Sequence, residues 1–157
     1  MMEIRRAVIE DIDGLDRLLC QVLMVHHNGR PDLFKADVKK YSDAELADIL
    51  EDEKRPVFVC VDENNTVLGY AFCIYQQHIG SNILTDIKTL YIDDICVDEN
   101  VRGRHIGKSL YEYVVQYARE NGFYNVTLNV WSCNPGAVKF YESMGLKPYR
   151  IGMERIL

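Results

Sequence analysis

The stretch VDENVRGRHIGKSL, residues 97–110, decides the fold. An extended apolar pattern, IKTLYIDDICV (87–97), runs into it. Ile106, Leu110, Val114, Tyr117 and Ala118 leave it at helical spacing. Between the two patterns, Arg102 to Gly107 hold two glycines and two arginines. Strand, glycine-bearing basic loop, helix is an arrangement that binds anionic phosphate. A helix start presents unpaired N–H groups and the positive end of its dipole. Gly103 and Gly107 admit a close backbone approach, and Arg102, Arg104 and Lys108 add charge. One helix terminus contributes only about 0.3–1 kcal/mol, so several groups must act together. Neither G-x-x-x-x-G-K-S/T nor G-x-G-x-x-G occurs here. Taken alone, the glycine pair reads equally well as a plain turn with exposed basic residues.

Working outward, EIRRAV (3–8) reads as a first strand, and a first helix runs from about Glu10 to Met24. VHHNGRPDLFK then breaks regular structure at Gly29 and Pro31. Ser42 and Glu45 form an S-x-x-E capping box that opens a second helix, which stops before Pro56. PVFVCVD (56–62) and VLGYAFCIY (67–75) flank the turn ENNT as an antiparallel hairpin. The helix after the basic loop ends near Asn121–Gly122, and NVTLNV (125–130) is another strand. Asn134 caps a last helix, with Pro135 at its first position and Gly145 closing it. KPYRIGMERIL (147–157) returns as a final strand. The order is β-α-α-β-β-β-α-β-α-β. It implies an α/β (α+β) fold with a mixed, mostly antiparallel central sheet of six to seven strands and helices on both faces.

The 157 residues suggest a single domain, 1–157. Hydrophobic residues make up 48% and charged residues 27%, an ordinary globular balance. No apolar run approaches the ~20 residues of a membrane span. MMEIRRAVIEDID lacks a signal-peptide core. The five cysteines are odd in number, form no C-x-x-C and lie mostly in apolar runs. Buried free thiols in a reducing cytoplasm, with no zinc site or other metal, are expected. The net charge of −6 opposes a nucleic-acid partner. It suits a cationic small molecule or simply solubility.

Two blocks together resemble a known family. VRGRHIGKSLYEYV looks like the coenzyme A pyrophosphate loop of the Gcn5-related N-acetyltransferases (GNAT), whose pattern is Q/R-x-x-G-x-G/A. Arg102 fills its first place and Gly107 its last. His105 stands where the family usually has glycine. NPGAVKFYESMGL (134–146) is similar to the family's N-x-x-A-x-x-F-Y-x-x-x-G-F segment. Asn134, Ala137, Phe140, Tyr141 and Gly145 match it, and Leu146 replaces Phe. The resemblance covers the whole chain, most clearly residues 87–147.

The resemblance implies acetyl transfer from acetyl-CoA to a primary amine by direct transfer in a ternary complex. The amine must lose a proton, a cost of about 4–5 kcal/mol for a lysine-like amine at pH 7. The oxyanion needs donors and the departing thiolate a proton. By resemblance, Tyr141 supplies that proton, and Asp93 positions or deprotonates the amine, through water. Alternation along a strand points one of Asp93 and Asp94 into the cleft. The backbone of Ile95, Cys96 and Val97 pairs with the pantetheine arm. Arg102, Gly103, Arg104, His105, Ile106, Gly107 and Lys108 wrap the diphosphate, and Asn134 contacts the coenzyme. Cys96 is read as packing, not as a nucleophile. His26, His27, Arg30, Asp32, Tyr41, Tyr75, Tyr91 and Asp94 line the acceptor side or are structural. Partners are acetyl-CoA and an amine acceptor, without nucleic acid or membrane; the resemblance also suggests a homodimer, especially through the C-terminal strand. The rival reading is a non-catalytic acyl-CoA sensor or partner-binding domain.

Overall fold

The computed structural model describes all 157 residues. Its sheet has five strands: β1 (Glu3–Arg6), β2 (Val57–Val61), β3 (Val67–Gln77), β4 (Lys88–Val97) and β5 (Asn125–Leu128). They lie side by side in chain order. The first three joints are antiparallel, and β4 pairs with β5 in parallel. That parallel joint needs a crossover, which is α3 (Ile106–Glu120). The other helices are α1 (Ile12–Gly29), α2 (Asp43–Glu51) and α4 (Pro135–Ser143). None is long and apolar enough to cross a membrane.

Strand β2 is buried along its whole length, and its alternation serves two cores. Val57, Val59 and Val61 meet Leu15, Leu18, Leu19, Leu46 and Ile49 of α1 and α2. Phe58 packs with Val114 and Ala118, and Cys60 with Ile106 and Leu110, all from α3. Helix α1 seats tightly on the start of β3: a Cβ at Gly14 would lie 2.7 Å from Val67 Cγ2.

Two β-bulges interrupt the alternation. Cys60 faces Gly69 while Val61 faces Val67, so Leu68 is the extra residue. Phe72 faces Asp94 while Cys73 faces Ile92, so Asp93 is unopposed. A bulge bends its strand and shifts every later side chain by one place. The second one builds the site.

The expected order holds from β1 to α4 and fails after it. Residues 147–157 form no strand, so the sheet has five strands rather than six to seven. The tail alternates in residue type, with Tyr149, Ile151 and Met153 at every second place, but all of residues 147–157 are exposed. No ladder within one chain receives it, and Glu154 instead meets Arg30 at 2.5 Å. Helix α1 also runs past Met24 to Gly29, where the first breaker stands. The two histidines therefore sit on its last turn rather than in a loop. Strand β5 stops at Leu128, two residues short of expectation, at the point where β4 turns away at its bulge.

Candidate active site

Strand β5 pairs with β4 only from Thr89 to Ile92. Beyond the bulge, β4 keeps β3 on one side and has no partner on the other. Beside this open half lies a cavity of about 150 Å³. Gln21, Val22 and Val25 of α1 form one wall, and Ile95, Cys96 and Val97 another. Glu99, Arg102 and Asn134 close its end. The sequence reading anticipated Ile95, Cys96, Val97, Arg102 and Asn134 but not the α1 wall. Val22 belongs to the apolar periodicity of α1, and nothing local marks it as a cavity lining.

The open half leads to the start of α3. His105 precedes that helix in the left-handed region, at φ 59° and ψ 24°, and no side chain caps it. The first-turn N–H groups of a helix have no internal acceptor. Here they face outward among Arg102, Arg104, His105 and Lys108, all exposed. Gly103 has φ 88°. Ile106 is itself core, 3% exposed, so only its backbone faces the loop side. A Cβ on Gly107 would touch Phe140 at 3.4 Å and Val97 at 3.5 Å. Strand β4, α3 and α4 therefore converge at this residue.

The loop's entry is fastened to α1. Asp98 accepts from the Asn100 backbone N–H at 3.0 Å, from Gln21 at 3.4 Å and from Arg17. Gln21 Oε1 in turn accepts from the Glu99 N–H at 3.1 Å. Burial pushes the Asp98 carboxyl up, but the Asn100 N–H, Arg17 and Gln21 outweigh it and hold it at about 2. This clamp was not legible in the sequence, because Arg17 and Asp98 lie 81 residues apart.

Both acids of YIDDICV enter one neighbourhood, against the expectation of one. The bulge at Asp93 cancels the alternation between them. Asp93 Oδ2 lies 3.4 Å from Lys40 Nζ. Asp94 accepts from the Tyr70 hydroxyl at 2.7 Å. Burial raises the Asp94 carboxyl above its ordinary value, against the opposing pull of Tyr70, Lys40 and His26. Burial works against the Lys40 ammonium, yet Asp94 and Asp93 prevail and raise its pKa. The ammonium sits 5.3 Å from the Tyr41 ring centroid. Tyr41 stacks on Phe72 at 6.0 Å. Tyr91 accepts from Asn129 at 3.3 Å.

The two histidines separate into different roles. His26 packs on Phe34 at 5.0 Å, and Phe34 meets Trp131 edge-on at 5.3 Å. Burial lowers the His26 pKa despite the charge of Asp94, so its ring is neutral at pH 7. His27 Nδ1 lies 2.7 Å from the Phe34 carbonyl and ties the turn together. Arg30 grips Asp32 at 2.9 and 2.7 Å and reaches Glu154. His27, Arg30 and Asp32 thus make contacts within the turn and with the C-terminal segment. Tyr75 joins the other core, its hydroxyl 2.5 Å from that of Tyr117.

Tyr141 is partly buried on α4. Burial, and after it the charge of Asp94, raises its pKa, so it remains a proton donor. Burial and Asp94 push the Cys96 thiol up to about 12. It is a thiol at neutral pH, in line with packing rather than nucleophilic attack. Asn134 Oδ1 caps α4 by accepting from the Ala137 N–H at 3.3 Å, and the same residue lines the cavity.

Residues 24–146 match the acetyltransferase (GNAT) family. An uncharacterized N-acetyltransferase of Methanocaldococcus jannaschii is 32% identical over 93 residues, 57% of this chain and 38% of that protein. The peptidyl-lysine N-acetyltransferase YjaB of Escherichia coli is 26% identical over 149 residues, 94% of this chain and 83% of that protein. The chain spans 38%, 60% and 44% of the lengths of three of the curated relatives it matches. Among solved structures, a mutant of the BH1408 protein from Bacillus halodurans superposes with a TM-score of 0.94. It is 30% identical, with 99% of each chain covered.

Proposed function

The chain belongs to the acetyltransferase (GNAT) family, and on that premise we propose that it moves an acetyl group from acetyl-CoA directly to a primary amine. The observation that carries this reading is the half-open β4. Its free edge beyond Asp93 runs beside a narrow cavity to an uncapped helix start. Such an edge receives an extended amide-bearing arm as an added strand. The uncapped helix end and its basic loop receive a diphosphate.

In this reading the loop residues Arg102 to Lys108 hold the diphosphate, chiefly through backbone N–H groups. Ile95, Cys96 and Val97 pair with the pantetheine arm and leave N–H groups for the thioester oxygen. Asp93 holds the acceptor's ammonium. Its proton passes through water to neutral His26. Tyr141 protonates the leaving thiolate. The paired acids Asp93 and Asp94 favour a cationic amine as acceptor.

The exposed alternation of Tyr149, Ile151 and Met153 supports pairing with a second copy along a free strand edge. Cys20 and Cys133 are exposed rather than buried as expected, and free thiols there fit a reducing compartment.

The test is thiol release from acetyl-CoA against polyamines, aminoglycosides, amino acids and lysine or N-terminal peptides. Saturable release with one class supports the transferase. Coenzyme binding without release to any amine supports a sensor instead.

A further inference from the structure

An acceptor amine must bring its nitrogen to the acids of the β4 bulge, and the chain already places one there. Lys40 Nζ lies 3.4 Å from Asp93 Oδ2 and 5.3 Å from the Tyr41 ring centroid. The charge of Asp94 acts on the same ammonium, and that ammonium acts on the imidazole of His26. Lys40 stands on the irregular segment between α1 and α2, outside any helix or strand. Its side chain is 40% exposed, which leaves it free to swing along the cleft. The adjacent Lys39 turns elsewhere. Its ammonium lies 3.3 Å from Asp16 and 3.4 Å from Asp43, and it is 57% exposed. Two neighbouring lysines thus share a segment and differ in surroundings: one faces the site, the other faces α1 and α2.

We propose that Lys40 is a self-acetylation site, taking the acetyl group from acetyl-CoA within its own molecule. The inference rests on the transferase reading above. The ammonium first gives its proton to water through Asp93 and His26. The freed lone pair of Nζ then attacks the thioester carbonyl carbon. A C–N bond forms, Nζ gives up its second proton to solvent, and the C–S bond breaks. The electron pair of that bond leaves with sulfur, which takes a proton from Tyr141, and Tyr141 is reprotonated by solvent. The products are an acetyl-lysine amide, free coenzyme A thiol and one released proton, with no change in oxidation state.

The experiment incubates the full chain with labelled acetyl-CoA and no acceptor, then digests it and reads acetylation at each lysine by mass spectrometry. Thiol release to the amine panel is measured in parallel. Because Lys40 is held at the site, its labelling exceeds that of Lys39 by about tenfold or more. Its rate constant is independent of protein concentration. Tyr141→Phe slows labelling of Lys40 and leaves that of Lys39 unchanged. Equal labelling of the two lysines, or a rate proportional to protein concentration, overturns the proposal. Release to an external amine with Lys40 unlabelled also overturns it, while leaving the transferase standing. No release and no labelling removes both.

Discussion

The two halves of β4 share one strand and one backbone conformation, yet do different work. Up to Ile92 the strand is flanked by β3 and β5, and Leu90 and Ile92 are 0% and 2% exposed. After Asp93 it has one neighbour, and its residues from Asp94 to Val97 are only partly buried. A single unopposed residue separates a core strand from an open edge, which the proposed function uses for binding. On the proposed function, stability and chemistry are carried by adjacent residues that can be perturbed separately.

The strongest challenge to that division is Leu90→Ala. It removes a fully buried side chain and costs about 2–5 kcal/mol of stability. The denaturation midpoint falls, while coenzyme affinity of the folded fraction is unchanged. A parallel loss of affinity would show that the halves are not separable. Tyr141→Phe tests the other side. It lowers kcat by about 100-fold, the effect of losing a general acid, and leaves coenzyme affinity and the denaturation midpoint in place. Steady-state kinetics beside a binding titration check it.

Asp98→Asn sharpens the comparison at the far end of the open half. The folded Asp98 pKa, about 2, lies below the ordinary aspartate value. Its stabilising contribution is thus present above that ordinary value and is lost as pH falls towards 2. Unfolding curves between pH 5 and 2 should be steeper in pH for the parent than for the variant. The smallest effect is that of His105→Gly. A left-handed non-glycine residue costs about 1–2 kcal/mol. Glycine relieves this and gives back part of it in unfolded-chain entropy, for a net gain of about 1 kcal/mol. A rise in melting temperature checks it, and a fall would mean that the imidazole makes a contact worth more than the strain.

Much of this arrangement was legible before the structure. The basic loop, the capped start of α4 and the strand order through α4 follow from periodicity and capping chemistry, which are local. The left-handed residue at His105 explains why its place favours glycine. The bulge at Asp93 was not legible, because YIDDICV alternates normally when read alone. Only the pairing with Phe72 and Cys73 reveals the extra residue. The last turns of α1 were missed because Gly29, not the polar pair His26–His27, ends that helix. Lys40 carries no local signal, since the carboxylate it meets lies 53 positions away. The C-terminal segment carries a strand's alternation without a strand's ladder, and sequence reports only the first.

The clamp at Asp98 has a thermodynamic consequence. Arg17 and Gln21, which hold Asp98 at the entry to the basic loop, stand on the same helix as His26, on which the charge of Asp94 acts. A helix transmits displacement along its axis as a stiff rod. In the proposed transferase, binding at the loop and binding at the acids are therefore expected to be coupled through this helix. Reciprocity then requires that an acceptor tighten coenzyme binding by the same factor by which coenzyme tightens the acceptor's. Titrating each ligand with and without a non-reactive analogue of the other gives two ratios, and cutting the clamp with Arg17→Ala should bring both towards unity.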